Sequence, residues 1–290
     1  MHLVDGRVIL SASDLTGFLD CPHLTQQEMA ATRGEIVRPE RDDPELELIA
    51  RRGTEHEERH LAGYRNAGRS VVTITTPTAS IDAYRIAQQQ TLDAMRAGVD
   101  VIYQATLFDG RWLGYADFLE RVDRPGALDG HGYEVVDTKL ARSAKAAALL
   151  QTCLYSELLA GLQAADPEWM HLVLGDGSRP RFRVSDYRAY LHHAKVRLEA
   201  VAGAAPTQTY PEPVEHCGVC RWYEACERRW RDDDSLVLVA GLQRSQARKL
   251  ATSGVTTVAS LASSTGDVTA TGIGGSRPFG IAGSTLPIRT

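Results

Sequence analysis

Glu134-Val-Val-Asp137-Thr138-Lys139, with Gly114-Tyr-Ala-Asp117 ahead of it, is the stretch on which the reading of this chain turns. In a strand, side chains two apart share a face. Asp137 and Lys139 therefore project together, while Val136 and Thr138 point the other way. Asp117 falls in a second strand candidate, Trp112 to Val122, which Asp109-Gly110 joins as a hairpin turn to Val101–Phe108. If 112–122 pairs with the strand at 133–140, Asp117 and Asp137 approach each other. Two carboxylates at one spot repel unless a cation lies between them, and oxygen ligands suit Mg²⁺ or Mn²⁺.

Elements of both kinds surround this centre. Ser-Ala-Ser-Asp-Leu caps a helix over 11–30, with Leu15, Phe18 and Leu19 on its apolar face and Cys21-Pro22 interrupting it. A helix with an acidic first turn spans Pro44 to Tyr64, a β-branched strand 70–75, and a helix Ser80 to Ala97 with Gly98 as its stop. Beyond Lys139 the pattern predicts a long helix over Ala141–Ala165, a hairpin around Gly175-Asp176-Gly177, and a helix over 186–202 capped by Ser185. A proline-rich linker, 203–213, leads to a cysteine group. The part from about Ser263, rich in Ser, Thr and Gly, is expected to be disordered.

The 290 residues suit one large domain with a small appendage, and 43% hydrophobic content supplies a core without staples. The net charge of −5 decides nothing about a nucleic-acid partner, because phosphate affinity follows local basic patches. No run of 18 apolar residues is present and Met1–Leu10 lacks the order of a signal peptide, so a cytoplasmic protein without a membrane contact is expected. Five cysteines, an odd number, argue against a disulfide framework.

A lysine beside a carboxylate-held cation can polarise an attacking water or neutralise charge developing on a phosphodiester. Taken singly the features are ordinary. Edge strands carry Asp-x-Lys triplets, a lone histidine is commonly solvated, and Gln151 and Tyr155 could simply occupy a helix face. Their order is what carries information: Gly53-Thr-Glu-His56, Gly114-Tyr-Ala-Asp117, Asp137-Thr-Lys139 and Gln151-Thr-Cys-Leu-Tyr155. This order resembles the RecB-like branch of the PD-(D/E)XK nuclease superfamily. The resemblance implies an α/β core with a mixed central sheet flanked by helices. It implies metal binding by His56, Asp117 and Asp137 with the main-chain carbonyl of Thr138. It makes Lys139 the catalytic lysine, and gives Gln151 and Tyr155, one helical turn apart, a role in supporting the site or holding the strand. The implied substrate is DNA, single-stranded or at an end, in repair, recombination or processing, with a helicase as a further partner.

Cys217-Gly-Val-Cys220 and Cys226 form a C-x2-C-x5-C group that needs a fourth ligand for zinc or an iron–sulfur cluster. Cys153 lies in a core-like helix, which leaves Cys21, followed by a proline, as the better candidate. One N-terminal and three C-terminal cysteines resemble the iron–sulfur nucleases, among them CRISPR-associated adaptation nucleases and AddB-type helicase–nucleases. There a [4Fe–4S] cluster ties the ends of the nuclease domain together. Such a clip would contribute at most about 5 kcal/mol by loop closure. The alternative is a zinc knuckle completed by His216 or His23, since spacing does not separate the two.

Residues 236–261 are similar to part of a helix-hairpin-helix unit, with Gly241, Arg244, Arg248, Lys249 and Gly254, and with Arg228, Arg229 and Arg231 upstream. A small helical pair without a DNA role is the equal alternative. The division expected is 1–232 for the nuclease-like domain, 233–262 for the hairpin unit and 263–290 for the tail. Residues 8–262 as a whole resemble a bacterial family of RecB-like nucleases whose members continue into a further nuclease-like or helicase region. On that resemblance, truncation or an altered reading frame is an expectation for the tail. The competing reading is a non-catalytic iron–sulfur or zinc DNA-binding module with structural carboxylates.

Overall fold

The computed structural model describes residues 1–123, 128 and 130–264. The tail expected to be disordered therefore lies, from residue 265 on, outside the described residues, as does most of the 124–129 connection. The chain divides into two units, Met1–Trp222 and one beginning at Tyr223.

The first unit opens with a hairpin, β1 (His2–Val4) against β2 (Arg7–Ile9). Asp5 and Gly6 turn it, both at positive φ (49° and 75°), the backbone a two-residue hairpin loop requires. Helix α1 (Ala12–Asp20) begins with a capping box between Ser11 and Asp14. Cys21 ends α1 and caps α2 (Pro22–Thr32), its Sγ accepting from Leu24 N at 3.4 Å, with Pro22 in the first turn where no N–H is needed. Helix α3 (Pro44–Asn66) starts at Asp43, whose carboxylate accepts from Glu45 N and Leu46 N.

The chain then builds β3 (Val71–Thr73), α4 (Ile81–Arg96), β4 (Val101–Phe108), β5 (Leu113–Val122), β6 (Gly132–Thr138), α5 (Ala146–Gln163), β7 (Trp169–Val173), β8 (Arg181–Arg183) and α6 (Val184–Gly203). The six strands from β3 to β8 lie in chain order in one mixed sheet. β3 with β4 and β6 with β7 are parallel, each pair linked through a helix; the other neighbours are antiparallel. The expected α/β architecture, a mixed sheet flanked by helices, is what the chain adopts.

Two apolar layers hold the helices to the sheet. On one, Leu154, Tyr155 and Leu159 of α5 meet Ala105, Ala116, Leu119 and Val135, with α1 and α6 outside them. On the other, Leu61 and Tyr64 of α3 meet Val101, Phe118, Val136 and Val173. A polar bolt secures the second layer. Glu120, 8% exposed, accepts two hydrogen bonds from Arg179 (3.1 and 2.6 Å) and one from the Tyr64 hydroxyl. Burial pushes its carboxyl up, but Arg179, Tyr64 and Arg69 outweigh that and hold it below the usual carboxylate range.

Several expected boundaries move by a few residues, as at the strand expected over 133–140, which is 132–138, and two of the shifts have a visible cause. The long helix begins at Ala146, not Ala141, because the segment after β6 is tied to the end of β7 through Lys139 N to Val173 O (2.8 Å) and Gly175 N to Ala141 O (3.1 Å). The last helix of this unit is not capped by Ser185. β8 runs directly into it, since buried Val184 already starts the helix while donating to Glu168 O at 3.1 Å. The second unit contains α7 (Tyr223–Asp232), a 3₁₀ turn (Leu236–Leu238), α8 (Arg244–Thr252) and α9 (Val258–Ser263).

Candidate active site

β5 and β6 deliver the two aspartates. Their last paired residues are Phe118 and Val136, so one step further along the ladder sets Asp117 opposite Asp137. Asp117 is fixed by β6 itself: its Oδ2 accepts from Thr138 N (2.7 Å) and from Thr138 Oγ1 (2.8 Å). Asp137 is fully buried, and neither carboxylate oxygen has a hydrogen bond of proper geometry. The Lys139 ammonium makes an ion pair with Asp137 Oδ2, as the two-residue strand spacing predicts. One ammonium against two buried oxygens and a facing carboxylate leaves Asp137 under-solvated. Burial first, and then the Asp117 carboxylate, push the Asp137 carboxyl up from its ordinary value; Lys139 opposes them.

α5 closes the site from one side. Gln151 Nε2 donates to Tyr155 Oη at 3.0 Å, and burial, then the charge of Asp137, push the Tyr155 phenol up. Gly114 explains the first residue of its motif: a Cβ there would stand 2.6 Å from the Tyr155 ring. Gly175 likewise lies so close to the Leu140 carbonyl, 2.1 Å from where its Cβ would be, that no larger residue fits beside the loop after Lys139.

α3 closes the other side. His56, 8% exposed, reaches the end of β7 through Nε2 at 3.2 Å from Val173 O, the carbonyl that also receives Lys139 N. That geometry makes Nε2 the protonated nitrogen, so metal ligation through it would require exchange of this bond. Glu57, next on the helix, is a site residue that the motif order did not single out. It accepts from Gln104 Nε2 and from Tyr103, and burial followed by the Asp117 charge pushes its carboxyl up. Burial and Glu57 in turn push the Tyr103 phenol up to about 12. Gln104 has φ 55°, rare for a residue with a side chain, and interrupts the β4–β5 ladder opposite Asp117. No sequence signal announces a positive φ at a glutamine, whereas Glu57 was detectable as the carboxylate beside the motif histidine.

The fit to a divalent cation rests on this donor set. Two adjacent carboxylates, one fully buried and balanced by a single ammonium, form the environment a hard cation relieves. Among the described residues no group of three or more His, Cys, Asp or Glu side chains is arranged to hold a metal ion. The structure thus brings Asp117, Asp137, Thr138, Lys139, Gln151 and Tyr155 together and engages His56 with a carbonyl.

Of the five cysteines, Cys153 is fully buried in α5 and its thiol is pushed up to about 12, first by burial. Cys21, Cys217 and Cys220 belong to the first unit and Cys226 to the second. Cys217 Sγ accepts from Val214 N at 3.4 Å. Burial raises the Cys220 thiol, and Cys217 and Cys21 add to the rise. Trp222, 4% exposed, donates from Nε1 to Glu28 at 2.8 Å and so anchors this segment to α2. His23 is engaged through both ring nitrogens, by Thr209 (2.7 Å) and Gln27 (3.0 Å), while His216 faces Asp20 at 3.4 Å.

In the second unit, Arg228 and Arg231 pair with Glu224 and Glu227, each one turn back on α7, at 4.0 and 2.8 Å, and Arg229 pairs with Asp233 just beyond the helix at 3.5 Å. Gly241 and Gly254 both take positive φ (77° and 85°), the latter in the turn between α8 and α9.

Fold and site together define an α/β protein with a carboxylate pair and a lysine at the open end of two antiparallel strands. Comparison with protein-family models and with curated proteins finds no match. Among the described residues no helix is long and apolar enough to cross a membrane.

Proposed function

We propose that the chain is a metal-dependent nuclease of the PD-(D/E)XK type, hydrolysing phosphodiester bonds of DNA. The observation that carries this reading is the fully buried Asp137 carboxylate, set against the Asp117 carboxylate and paired with the Lys139 ammonium. Asp117 and Asp137 would hold Mg²⁺ or Mn²⁺, with the Thr138 carbonyl and His56 as the further ligands implied by the sequence motifs. When bound, the cation supplies Lewis-acid charge to the phosphate and lowers the pKa of a nearby water. Lys139 sets its ammonium beside the carboxylates and neutralises charge that develops on phosphorus-bound oxygen. Tyr155 and Gln151, joined by a hydrogen bond, border the site from α5.

The cysteines are part of the same proposal. Cys21, Cys217 and Cys220, with Cys226 from the sequence spacing, would hold a [4Fe–4S] cluster, zinc being the alternative occupant. The α8–α9 pair would present its glycine turn to DNA phosphate. A role in DNA repair, recombination or processing, beside a helicase, follows from the same resemblance.

One observation favours a second reading. Asp137 already has Lys139 as an ion-pair partner, as in a DNA-binding module whose buried aspartate and lysine are structural. Cleavage of labelled single- and double-stranded DNA in Mg²⁺, Mn²⁺ or EDTA separates the two. The nuclease reading expects Mn²⁺-stimulated, EDTA-sensitive cleavage, lost by on the order of 100-fold or more in Asp137→Ala and Lys139→Ala with the fold retained. Full activity in both variants, or EDTA-resistant binding without cleavage, overturns it.

A further inference from the structure

A cavity of about 240 Å³ opens beside Lys139, between α1, the loop 139–145 and the start of α5. Leu140, Leu172 and Leu174 line it, two of them buried, together with several alanines and serines. Lys139 and Gln151 belong both to this cavity and to the carboxylate site, so the cavity lies directly beside that site. In a chain of net charge −5, its lining carries two lysines, Lys139 and Lys145, and no Asp or Glu.

The volume is below the roughly 300–1,000 Å³ of pockets for drug-sized ligands and suits one planar ring system. Leucine walls offer apolar surface to a ring face. The Gln151 amide, with one N–H committed to Tyr155, keeps a carbonyl oxygen and a second N–H for a polar ring edge. The lysines match the charge of the phosphates on which such a ring would be carried.

We propose that this cavity receives one unstacked nucleobase of a nucleic-acid strand whose adjacent phosphate lies at Asp117, Asp137 and Lys139. The inference rests on the hydrolase reading for the position of the phosphate, and it gives that reading a specificity. A paired base enters only after leaving its stack, so single strands are preferred over duplexes.

The test uses the whole chain and a short single-stranded oligonucleotide carrying 2-aminopurine at successive positions, bound to the Asp137→Asn variant. The fluorescence is expected to change at one position and to lose that change in Ala147→Phe and in Ser13→Phe, which add a ring to the lining from α5 and from α1. An abasic residue at the same position should lower wild-type cleavage about 10-fold, as the loss of one base contact predicts, and should have no added effect in Ala147→Phe. Equal signals at every position, or an unchanged signal in both filled variants with unaltered melting curves, overturns the pocket. Cleavage without a position-specific signal removes the pocket and leaves the hydrolase standing. A position-specific signal lost on filling, in a protein that cleaves nothing, keeps the pocket and removes the hydrolase.

Discussion

Asp137 is the residue at which the electrostatics of this protein concentrate. It is fully buried, faces a second carboxylate, and has one ammonium for company. Its carboxyl is pushed up, so the folded state binds a proton there more tightly than the unfolded chain does. The sign follows: stability falls as pH rises from the unfolded carboxylate value through the folded one, and the full loss persists above it. In EDTA, Asp137→Asn is therefore expected to melt higher than the wild type at pH 8, with the difference vanishing near pH 3. Saturating Mn²⁺ should raise the wild-type melting temperature and leave that of the variant unmoved. Differential scanning fluorimetry across pH measures both; a variant that melts lower than the wild type at pH 8 in EDTA refutes the assignment of strain to this carboxylate.

At the scale of elements, the site depends on how closely β5 lies to α5. Gly114 permits that approach, since a methyl group there meets the Tyr155 ring at 2.6 Å. Gly114→Ala is expected to cost about 1–3 kcal/mol, the usual range for overpacking. Urea denaturation should show the loss, and Tyr155→Ala in the same chain should relieve most of it, giving a coupling that an exposed glycine would not. Additive losses would place the ring elsewhere. The Gly-x-x-Asp and Gln-x-x-x-Tyr patterns are thus two halves of one contact: a missing side chain on the strand and a ring on the helix that takes its space.

For the whole molecule, the proposal of greatest reach is the cysteine clip. Cys21 follows the first helix and Cys217 and Cys220 stand near the end of the first unit, so a shared cluster would close a loop almost as long as that unit. Protein purified without oxygen is expected to be brown and to carry iron and sulfide. Cys21→Ala should lose the colour and lower the stability of the unit by up to about 5 kcal/mol, the ceiling of the loop-closure argument. A colourless protein with stoichiometric zinc overturns the cluster and leaves the clip.

Much of this organisation is legible in the sequence. Periodicity marked the strands from Val101 to Thr138 and the capped helices, because strand and helix repeats impose different spacings on the same apolar residues. The joint projection of Asp137 and Lys139 follows from the two-residue repeat alone, and that of Gln151 and Tyr155 from the helical turn. Other features depended on partners distant in the chain. The start of α5 is set by hydrogen bonds to the end of β7, the engagement of His56 by the Val173 carbonyl, and the place of Glu57 by Tyr103 and a Gln104 held at positive φ. The cavity beside Lys139 exists only where α1, α5 and the 139–145 loop meet. Sequence alone determined which residues share a face, since that is a property of local backbone geometry. Tertiary structure decided which faces confront each other and how much water is left between them, since burial and its electrostatic cost arise only when separate elements pack.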